Sequence, residues 1–596
     1  MSSDQELPPA LSSMVRLLRL GYQHEPRLLG AAFGLSLLAA LPDALIALWL
    51  KLLGEGVARH DRATLLTAGL GLGLSATATW LLKTVSTRVQ RRFRDKVSIA
   101  LESHVARLQA GVTTIAHQER PDLLDRLSVL RNHVFVLDHM YMSIFSTAGW
   151  VLRLAVTVAL LVSIHPALVL LALFAVPTVL TSTWRPGIER AAEEHAATHD
   201  RLAKHLFTTA TTAAPGKEVR VTGIGPRLAE QRRATWEQWY APVAAARWGS
   251  ALWQTASWTF FGLAYVGGVV FVSSGLQRPA GDVLLVLAAG ARLSSYIGAT
   301  VGEIGFLRGI WLDGSRRLVW LEQYAAALVA DADTPVPSRL RDGIRLEGVS
   351  FAYPGTERLV LDHVSVHLPA GAVVAVVGEN GAGKSTLVKL LCKLYEPTSG
   401  SIVVDGAPLA RMSADDWRGR VTGAFQDFFR FEFRAQQSIG LGDVPRIDDE
   451  PAVARAVDRA GAHDVVDRLE HGLGTQLGAT WPAGVDLSFG QWQKLALARG
   501  FVRDDPLLLV LDEPTAALDA ETEHALFERY AAAAQQSRVS GRITVLVSHR
   551  FSTVRMAELI VVLDGSRVVE VGSHQDLLDL GGTYAELYGI QAAAYR

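Results

Sequence analysis

Six long apolar segments, all before residue 315, constrain the fold of this chain more than any other feature of its 596 residues. Each segment is close to the roughly 20 residues that cross a bilayer as an α-helix. Buried core helices are the alternative for any single segment, but six in the first half and almost none afterwards predict a membrane domain. The segments cover approximately residues 28–50, 63–82, 143–163, 167–183, 251–273 and 283–307.

This arrangement predicts an all-α six-helix transmembrane domain over residues 28–315, preceded by an N-terminal elbow region at 1–27. The loops after the second and fourth segments are long, and residues 83–131 of the first carry ten basic against five acidic side chains. Loops with such an excess face the cytoplasm. We therefore expect the N-terminus and everything after residue 315 on the cytoplasmic side.

Both long loops have apolar residues at helical spacing, as in "RFRDKVSIALESHVARLQ", and no helix breaker follows the second segment. The membrane helices are therefore expected to continue far into the cytoplasm. Helix-breaking residues predict turns near 117–127 and 214–225, where the extended helices would dock on the second domain.

The composition excludes several classes of protein. Lysine and arginine (58) nearly balance aspartate and glutamate (59), so the chain lacks the basic excess of a nucleic-acid-binding protein. The single cysteine, Cys392, allows no intrachain disulfide, and we interpret it as a small core residue. No secretory signal is visible at the start, and the arginine- and alanine-rich composition is typical of GC-rich bacterial genomes. We expect a multi-pass protein of a bacterial plasma (inner) membrane.

After a polar linker at 316–344, short β-rich runs mixed with helices predict an α/β domain over residues 345–596. Within it, "AVVAVVGENGAGKSTLVKLL" places a glycine-rich loop between a strand and a helix, and the loop fits G-x-x-x-x-G-K-[ST]. The N–H groups of such a loop surround phosphate, its lysine reaches the terminal phosphates and its serine holds Mg²⁺. The candidates for phosphate binding are Gly378, Asn380, Gly381, Ala382, Gly383, Lys384, Ser385 and Thr386.

A second motif, "LLLVLDEPTAALD", is an apolar strand that ends in two carboxylates. Asp512 is a candidate ligand of Mg²⁺ beside Ser385, and Glu513 is a candidate for orienting and deprotonating an attacking water. An acidic loop after a buried strand is the alternative. Because the phosphate loop lies in the same domain, the pair instead favours hydrolysis of ATP with Mg²⁺.

A third motif, "LSFGQWQKLALARG", resembles the LSGGQ signature of ATP-binding cassette (ABC) proteins, with Phe489 in place of one glycine. Other landmarks of the family follow in its order. The resemblance implies that Tyr353 stacks on adenine, that Gln426 contacts Mg²⁺, that Asp519 lies in the D-loop, and that His549 is the switch histidine. The implied catalytic set is Lys384, Gln426, Glu513 and His549.

The six apolar segments before this cassette resemble the layout of exporter-type ABC half-transporters. In that family two cassettes close head to tail, which implies a second half-transporter chain; a homodimer is the economical choice and a heterodimer stays open. Ser488, Gly490 and Gln491 would then complete the ATP site of the partner. Phe489 departs from the family pattern, because glycine lets the backbone approach closely, but we expect a working site.

Charged residues in or near the spans are candidates for lining a cargo cavity, because charges at that depth are costly. They are Asp43, Arg153, Arg292 and Glu303. Arg153 is deepest by sequence, and its alternative role is to pair with Asp43 or Glu303.

Aromatic and glycine residues of the spans allow further interpretations. Trp150, Trp253 and Trp258 would form an aromatic wall or an interfacial belt. The glycines of "GLGLG" (69–73) favour close helix packing.

The resemblance implies ATP-driven export of an amphipathic small molecule or peptide by alternating access of a dimer in the bilayer. Lipid flipping, or siderophore import by a protein of this architecture, are alternatives within transport. An ATP-gated channel or regulator, and a soluble ABC ATPase, are alternatives from other classes. The six spans argue against the soluble ATPase.

Overall fold

The computed structural model describes residues 7–120, 123–124, 127, 130, 134–307, 312–328, 332–513 and 541–594. The chain divides into two compact units. The first unit contains residues 1–110 and 126–322, and the second contains residues 111–125 and 323–596.

The described residues before position 328 are mainly helical, as the apolar periodicity predicts. Their helices are α1 (Ala10–His24), α2 (Pro26–Arg59), α3 (Arg62–Gly111), α4 (Ala116–Glu119), α5 (Val134–Ile164), α6 (Leu170–Phe174), α7 (Val176–His195), α8 (Ala197–Thr211), α9 (Gly216–Thr222), α10 (Gly225–Val270), α11 (Ala280–Phe306) and α12 (Leu312–Ala327). The last of these occupies the start of the region interpreted as a linker.

Six stretches of the described residues are long and apolar enough to cross a bilayer, which confirms the six predicted spans. They are Pro26–Arg59, Arg62–Gly111, His139–Ile164, Pro166–Glu193, Gly225–Gly275 and Ala280–Gly305. The 50 residues of α3 extend for about 75 Å at 1.5 Å per residue, far more than a bilayer core. The expected helical continuation beyond the second segment is thereby confirmed.

The core of the membrane unit forms where α2, α5 and α11 pack against one another. Ala47, Leu161, Leu285 and Leu293 are almost fully buried there. The glycine-rich start of α3 also packs closely, since a Cβ on Gly71 would lie 2.4 Å from the indole of Trp49. The interpretation of the "GLGLG" run as a packing feature is confirmed at Gly71.

The second unit contains two sheets, as the α/β pattern predicts. Its strands are β1 (Gly343–Ala352), β2 (Leu359–Pro369), β3 (Val373–Gly378), β4 (Ser399–Val404), β5 (Ala407–Pro408), β6 (Val421–Ala424), β7 (Leu508–Asp512), β8 (Ile543–Val547), β9 (Leu559–Asp564) and β10 (Arg567–Gly572). An antiparallel sheet has the order β2-β1-β4-β5, and the main sheet has the order β10-β9-β3-β8-β7-β6.

Five neighbouring strands of the main sheet, from β9 to β6, run parallel, so their carboxyl ends share one edge. Functional loops of parallel sheets collect at that edge. Among the described residues, the helices of this unit are α13 (Lys384–Leu391), α14 (Ala414–Arg418), α15 (Ala435–Gly440), α16 (Glu450–Ala460), α17 (His463–Val466), α18 (Phe489–Gly500), α19 (Phe551–Val554), α20 (His574–Leu580) and α21 (Thr583–Ala594).

Apolar side chains of the strands form the core of this unit. Val374, Val545 and Val561 are fully buried between the two sheets, and α18 contributes to a neighbouring core with Trp492 and Leu495. Cys392 is buried, which confirms its assignment to the core, and burial raises the pKa of its thiol to about 12.

The described residues of 111–125 belong to the second unit, which places the first predicted turn on its own cassette. The backbone N–H of Ile115 donates to the carbonyl of Leu394 at 3.3 Å. Glu119 accepts from Lys389 Nζ at 3.1 Å and from the hydroxyl of Tyr395. The expectation that this turn docks on a cassette is confirmed, whereas docking of the second turn, at α9, stays a prediction.

Candidate functional site

The phosphate loop connects β3 to α13, and its glycines are there for conformational reasons. Gly378, Gly381 and Gly383 have φ angles of 152°, 86° and 101°, which side-chain-bearing residues rarely adopt. A Cβ on Gly378 would lie 2.2 Å from the carbonyl oxygen of Leu563. Around Gly381, in contrast, a Cβ would meet nothing within 4 Å, so the space next to the backbone at this position is open.

Lys384 begins α13 and is almost fully buried beside this loop. Its Nζ donates to the carbonyls of Gly378 and Glu379, each at 2.8 Å. Burial lowers the pKa of Lys384, although the nearby carboxylates of Glu513 and Asp512 oppose that effect. The ammonium group therefore lies against the backbone of the loop, where hydrogen bonds to phosphate oxygens could replace those to the two carbonyls.

Asp512 ends β7 and lies beside the hydroxyl of Ser385. Its Oδ1 is buried without a hydrogen-bond partner in the described part of the chain. Burial raises the pKa of Asp512, the Ser385 contact lowers it, and the nearby carboxylates of Glu513 and Asp427 raise it further. An orphaned carboxylate oxygen next to a hydroxyl fits a hard divalent cation such as Mg²⁺, which prefers oxygen ligands.

Three residues predicted as catalytic meet directly beyond the ends of β6, β7 and β8. Gln426 Nε2 donates to Glu513 Oε2 at 2.8 Å, and His549 Nε2 lies 2.6 Å from Glu513 Oε1. Glu513 itself has a φ of 47°, a strained value for a residue with a side chain. The strain is maintained by the backbone N–H of Glu513, which donates to the carbonyl of Val547 at 2.9 Å. The carboxylate therefore has a fixed direction next to the phosphate loop.

Tyr353 follows β1 and lies close to α13. Its hydroxyl is 3.0 Å from Thr386 Oγ1, and its ring contacts those of Phe351 and Tyr395. Lys389 Nζ lies 5.2 Å from the ring centroid. This position beside the phosphate loop is compatible with the adenine contact that the family resemblance implies, and that contact stays a prediction.

The signature residues begin α18. Ser488 caps the helix by accepting from the N–H of Gln491 at 3.3 Å, and the side chain of Gln491 accepts from the N–H of Ser488 at 2.8 Å. Such a capping box leaves the N–H groups of Phe489 and Gly490 at the positive end of the helix dipole, a favourable place for an anion. Within the described ranges, no hydrogen bond joins Ser488, Gly490 or Gln491 to the phosphate loop of the same chain.

Asp519, predicted to lie in the D-loop, falls in 514–540, outside the described residues. Sequence reasoning also missed two contributors. Asp427 acts electrostatically on Asp512, and Lys389 links Glu119 to the ring of Tyr353. Asp427 directly follows the glutamine that the family motif marks, so its position could have identified it, whereas no local pattern marks Lys389.

The charged residues of the spans are brought together around Asp43. Its Oδ1 accepts from Arg292 Nη1 at 2.8 Å, and its Oδ2 accepts from the hydroxyl of Tyr296 at 2.8 Å. Arg153 Nε lies 3.3 Å from Oδ2, and the guanidinium stacks 4.6 Å from the ring of Trp150. Two arginines thus face one carboxylate. Of the two acids considered for Arg153, the partner is Asp43.

Glu303 has a different contact, since its Oε2 accepts from Ser143 Oγ at 2.6 Å. The tryptophans also separate. Trp253 is 61% exposed, while Trp258 packs edge-on against Phe261 at 6.1 Å. Among the described residues, no ring contact joins Trp150 to Trp253 or Trp258, and the choice between an aromatic wall and an interfacial belt stays a prediction.

Comparisons with known proteins agree with this geometry. The family described as ABC transporter matches residues 361–516. An ATP-dependent lipid A-core flippase of Ralstonia nicotianae is 42% identical over 271 residues, which are 44% of this chain and 44% of that protein. A flippase of the same description from Xylella fastidiosa is 40% identical over 253 residues, 42% of this chain and 41% of that protein. The matched part is therefore less than half the length of these curated relatives.

Similarity in three dimensions extends over almost the whole chain. A bacterial Atm1-family ABC exporter with ATP bound superposes with a TM-score of 0.76 and covers 95% of this chain and 98% of that one. At 24% sequence identity, this similarity establishes the fold: a helical membrane domain followed by an α/β nucleotide-binding domain.

Proposed function

This chain combines an ABC transporter domain with the fold of an exporter-type ABC half-transporter, and we propose that it hydrolyses ATP to flip an amphipathic lipid across a bacterial inner membrane. The observation that carries the proposal is the Gln426–Glu513–His549 cluster beside the phosphate loop, in a chain with six membrane spans. Lipid is favoured over a drug or peptide because the curated relatives reported above are named as lipid flippases.

The catalytic roles follow from geometry. Glu513 would orient and deprotonate the attacking water, because its carboxylate is fixed by Gln426 and His549. Lys384 would neutralise charge on the terminal phosphates. Tyr353 would contact the adenine from its place beside Thr386.

Mg²⁺ would be held by Asp512 and Ser385, with Gln426 close by. The buried Oδ1 of Asp512, which lacks a hydrogen-bond partner, is the observation that supports this set. When bound, the cation would supply charge neutralisation between the phosphates. Gln426 donates to Glu513 through Nε2 in this structure, so its carbonyl oxygen Oε1 is the atom that would contact the cation.

Two copies of the chain would form the working unit. Ser488 and Gly490 support this arrangement, because the signature end of α18 makes no hydrogen bond to the phosphate loop of its own cassette in the described part of the chain. The second turn, α9, would dock on the partner, and its Val221 is 88% exposed and suited to an apolar groove. The first turn, held by Glu119, would transmit motion within one chain.

The Asp43 cluster is the candidate contact for cargo. Its two guanidinium groups exceed its one carboxylate by one positive charge, in a part of the molecule where an uncompensated charge is costly. A cargo with a phosphate or carboxylate group would compensate that charge, and arginine binds such groups bidentately. We therefore propose an anionic amphipathic lipid.

The proposal is tested in proteoliposomes with ATP and Mg²⁺, using fluorescent lipids with phosphate head groups, zwitterionic lipids and amphipathic peptides. Glu513→Gln serves as the control, because it keeps the side-chain shape and removes the base. The proposal is supported if the wild type moves the anionic lipid in an ATP-dependent way and Glu513→Gln does not. Movement of peptides but not of lipids would show that the cargo is a peptide. An ATP-gated conductance without net transport of any of these compounds would show that the protein is a channel.

A further inference from the structure

Phe489 occupies the place where the family signature has a glycine, and its side chain has specific neighbours. Its ring centroid lies 5.4 Å from that of Phe428, at an interplanar angle of 41°. The guanidinium of Arg430 lies 5.7 Å from the same ring. Phe489 is nevertheless 51% exposed, so burial in a core does not explain the aromatic residue.

The segment that supplies these neighbours directly follows Gln426. It also contacts the far end of α18, where Arg499 Nη1 donates to the carbonyl of Phe429 at 3.3 Å. The guanidinium of Arg499 stacks 4.6 Å from the ring of Phe431. Residues 427–431 therefore hold both ends of the signature helix, and Phe489 provides the contact at the end that carries the signature.

A glycine at position 489 could not make this connection. The capping box orients the first turn of α18 but ties it only to itself, since Ser488 and Gln491 bond to each other. In the described residues, the ring contacts of Phe489 are what join the exposed helix N-terminus to the glutamine segment. Gln426 in turn bonds to Glu513, so the path runs from the signature to the catalytic carboxylate in a few contacts.

We propose that Phe489 is a positioning residue that couples the signature of one cassette to the Gln426–Glu513 pair of the same cassette. The inference rests on the proposed function, in which the signature completes the ATP site of the partner. A change at Glu513 in one site would then move the helix end that serves the other site. Each chain would carry one such connection, so the two ATP sites would respond to each other.

The test compares three variants of the full-length protein in proteoliposomes, with ATP hydrolysis measured over a range of ATP concentrations. Phe489→Gly removes the ring, Phe489→Tyr keeps it, and Phe429→Leu is the matched control. Phe429 lies on the same segment and is 69% exposed, but its ring contacts Phe431 and not Phe489.

Phe489→Gly is expected to raise the KM for ATP roughly three- to tenfold and to reduce cooperativity towards a Hill coefficient of about 1, as loss of an aromatic pair and a cation–π contact implies. The kcat at saturating ATP should change by less than about twofold, because Glu513 is untouched. Phe489→Tyr should restore the wild-type values, and Phe429→Leu should not depart from them.

Arg430→Gln is a second variant, at an exposed position where substitution should not disturb folding. It should raise the KM in the same direction but less, and the Phe489→Gly/Arg430→Gln double variant should be no worse than Phe489→Gly alone. The coupling would be overturned if Phe489→Gly left the KM and the cooperativity unchanged. The proposed function would still stand in that case, provided that Glu513→Gln abolishes the hydrolysis seen in the wild type. Absence of hydrolysis in the wild type would instead remove the proposed function.

Discussion

Asp43 is predicted to hold the membrane unit together, and Asp43→Asn measures how strongly. The substitution keeps the shape of the side chain and removes its charge. It leaves Arg292 with a neutral acceptor in place of the carboxylate at 2.8 Å. The NH₂ group then takes the place of Oδ2 and faces both Tyr296 and Arg153. Both arginines then lack a counter-charge inside the helix bundle.

The magnitude follows from burial. Breaking a fully buried ion pair by removing one partner costs about 3–5 kcal/mol. The side chains here are 24% exposed at Asp43, 16% at Arg153 and 36% at Arg292, so part of that cost is screened. We expect a loss of about 2–4 kcal/mol in the stability of the membrane unit.

The assay is thermal unfolding of the purified full-length protein in detergent, followed by tryptophan fluorescence and size-exclusion recovery. A loss of this size should lower the unfolding midpoint by about 5–10 °C in a unit of this length. Arg153→Gln, which leaves Asp43 with Arg292 and Tyr296, should cost less. The double variant Asp43→Asn/Arg153→Gln should recover part of the loss, because it removes one of the two unpaired charges. An Asp43→Asn midpoint within about 1 °C of wild type would refute the reasoning.

Three further predictions concern the cassette. Glu513→Gln should lower ATP turnover by roughly 100-fold or more while nucleotide still binds, whereas Lys384→Ala should weaken binding itself; rates and nucleotide titrations separate the two. Glu119→Gln removes the charge that holds Lys389 and should weaken the stimulation of hydrolysis by cargo more than basal hydrolysis, so equal losses of both would contradict a coupling role. Burial and, to a smaller extent, the charge of Arg555 lower the pKa of His574 from its usual 6.5. The folded protein therefore binds fewer protons there, stability is lost as pH falls below about 6.5, and His574→Gln should flatten the dependence of the unfolding midpoint between about pH 5.5 and 7.5.

Much of the architecture could be predicted because it depends on local pattern. A run of about 20 apolar residues is long enough to cross the bilayer as a helix and is favourable there, so the six spans were predictable from the sequence alone. The phosphate loop was predictable for a similar reason. Its glycines are required by their own φ angles, as at Gly381 and Gly383, whatever surrounds them.

The meeting of Gln426, Glu513 and His549 was only partly determined in this way. Sequence places each residue after a strand, but Gln426 and Glu513 are 87 positions apart. Their contact depends on β6, β7 and β8 being neighbours in the order of the sheet. The resemblance to a family assigned the three residues to one catalytic set, whereas the residue pattern by itself did not predict their contact.

Tertiary structure alone decided which charges pair. Arg153 was the deepest candidate by sequence, but nothing in the local sequence of Arg153 or Arg292 selected Asp43 as the partner of both arginines. Crossing of α2, α5 and α11 makes that selection, as it brings residues 249 positions apart to 2.8 Å. The same holds for Phe489, whose sequence shows a departure from a motif and whose contacts with Phe428 and Arg430 come from the packing of two segments. The membrane spans and the phosphate loop follow from the chemistry of neighbouring residues. Ion pairs and ring contacts between distant segments are decided by the packed fold, because the sequence offers each side chain many possible partners of equal charge or size.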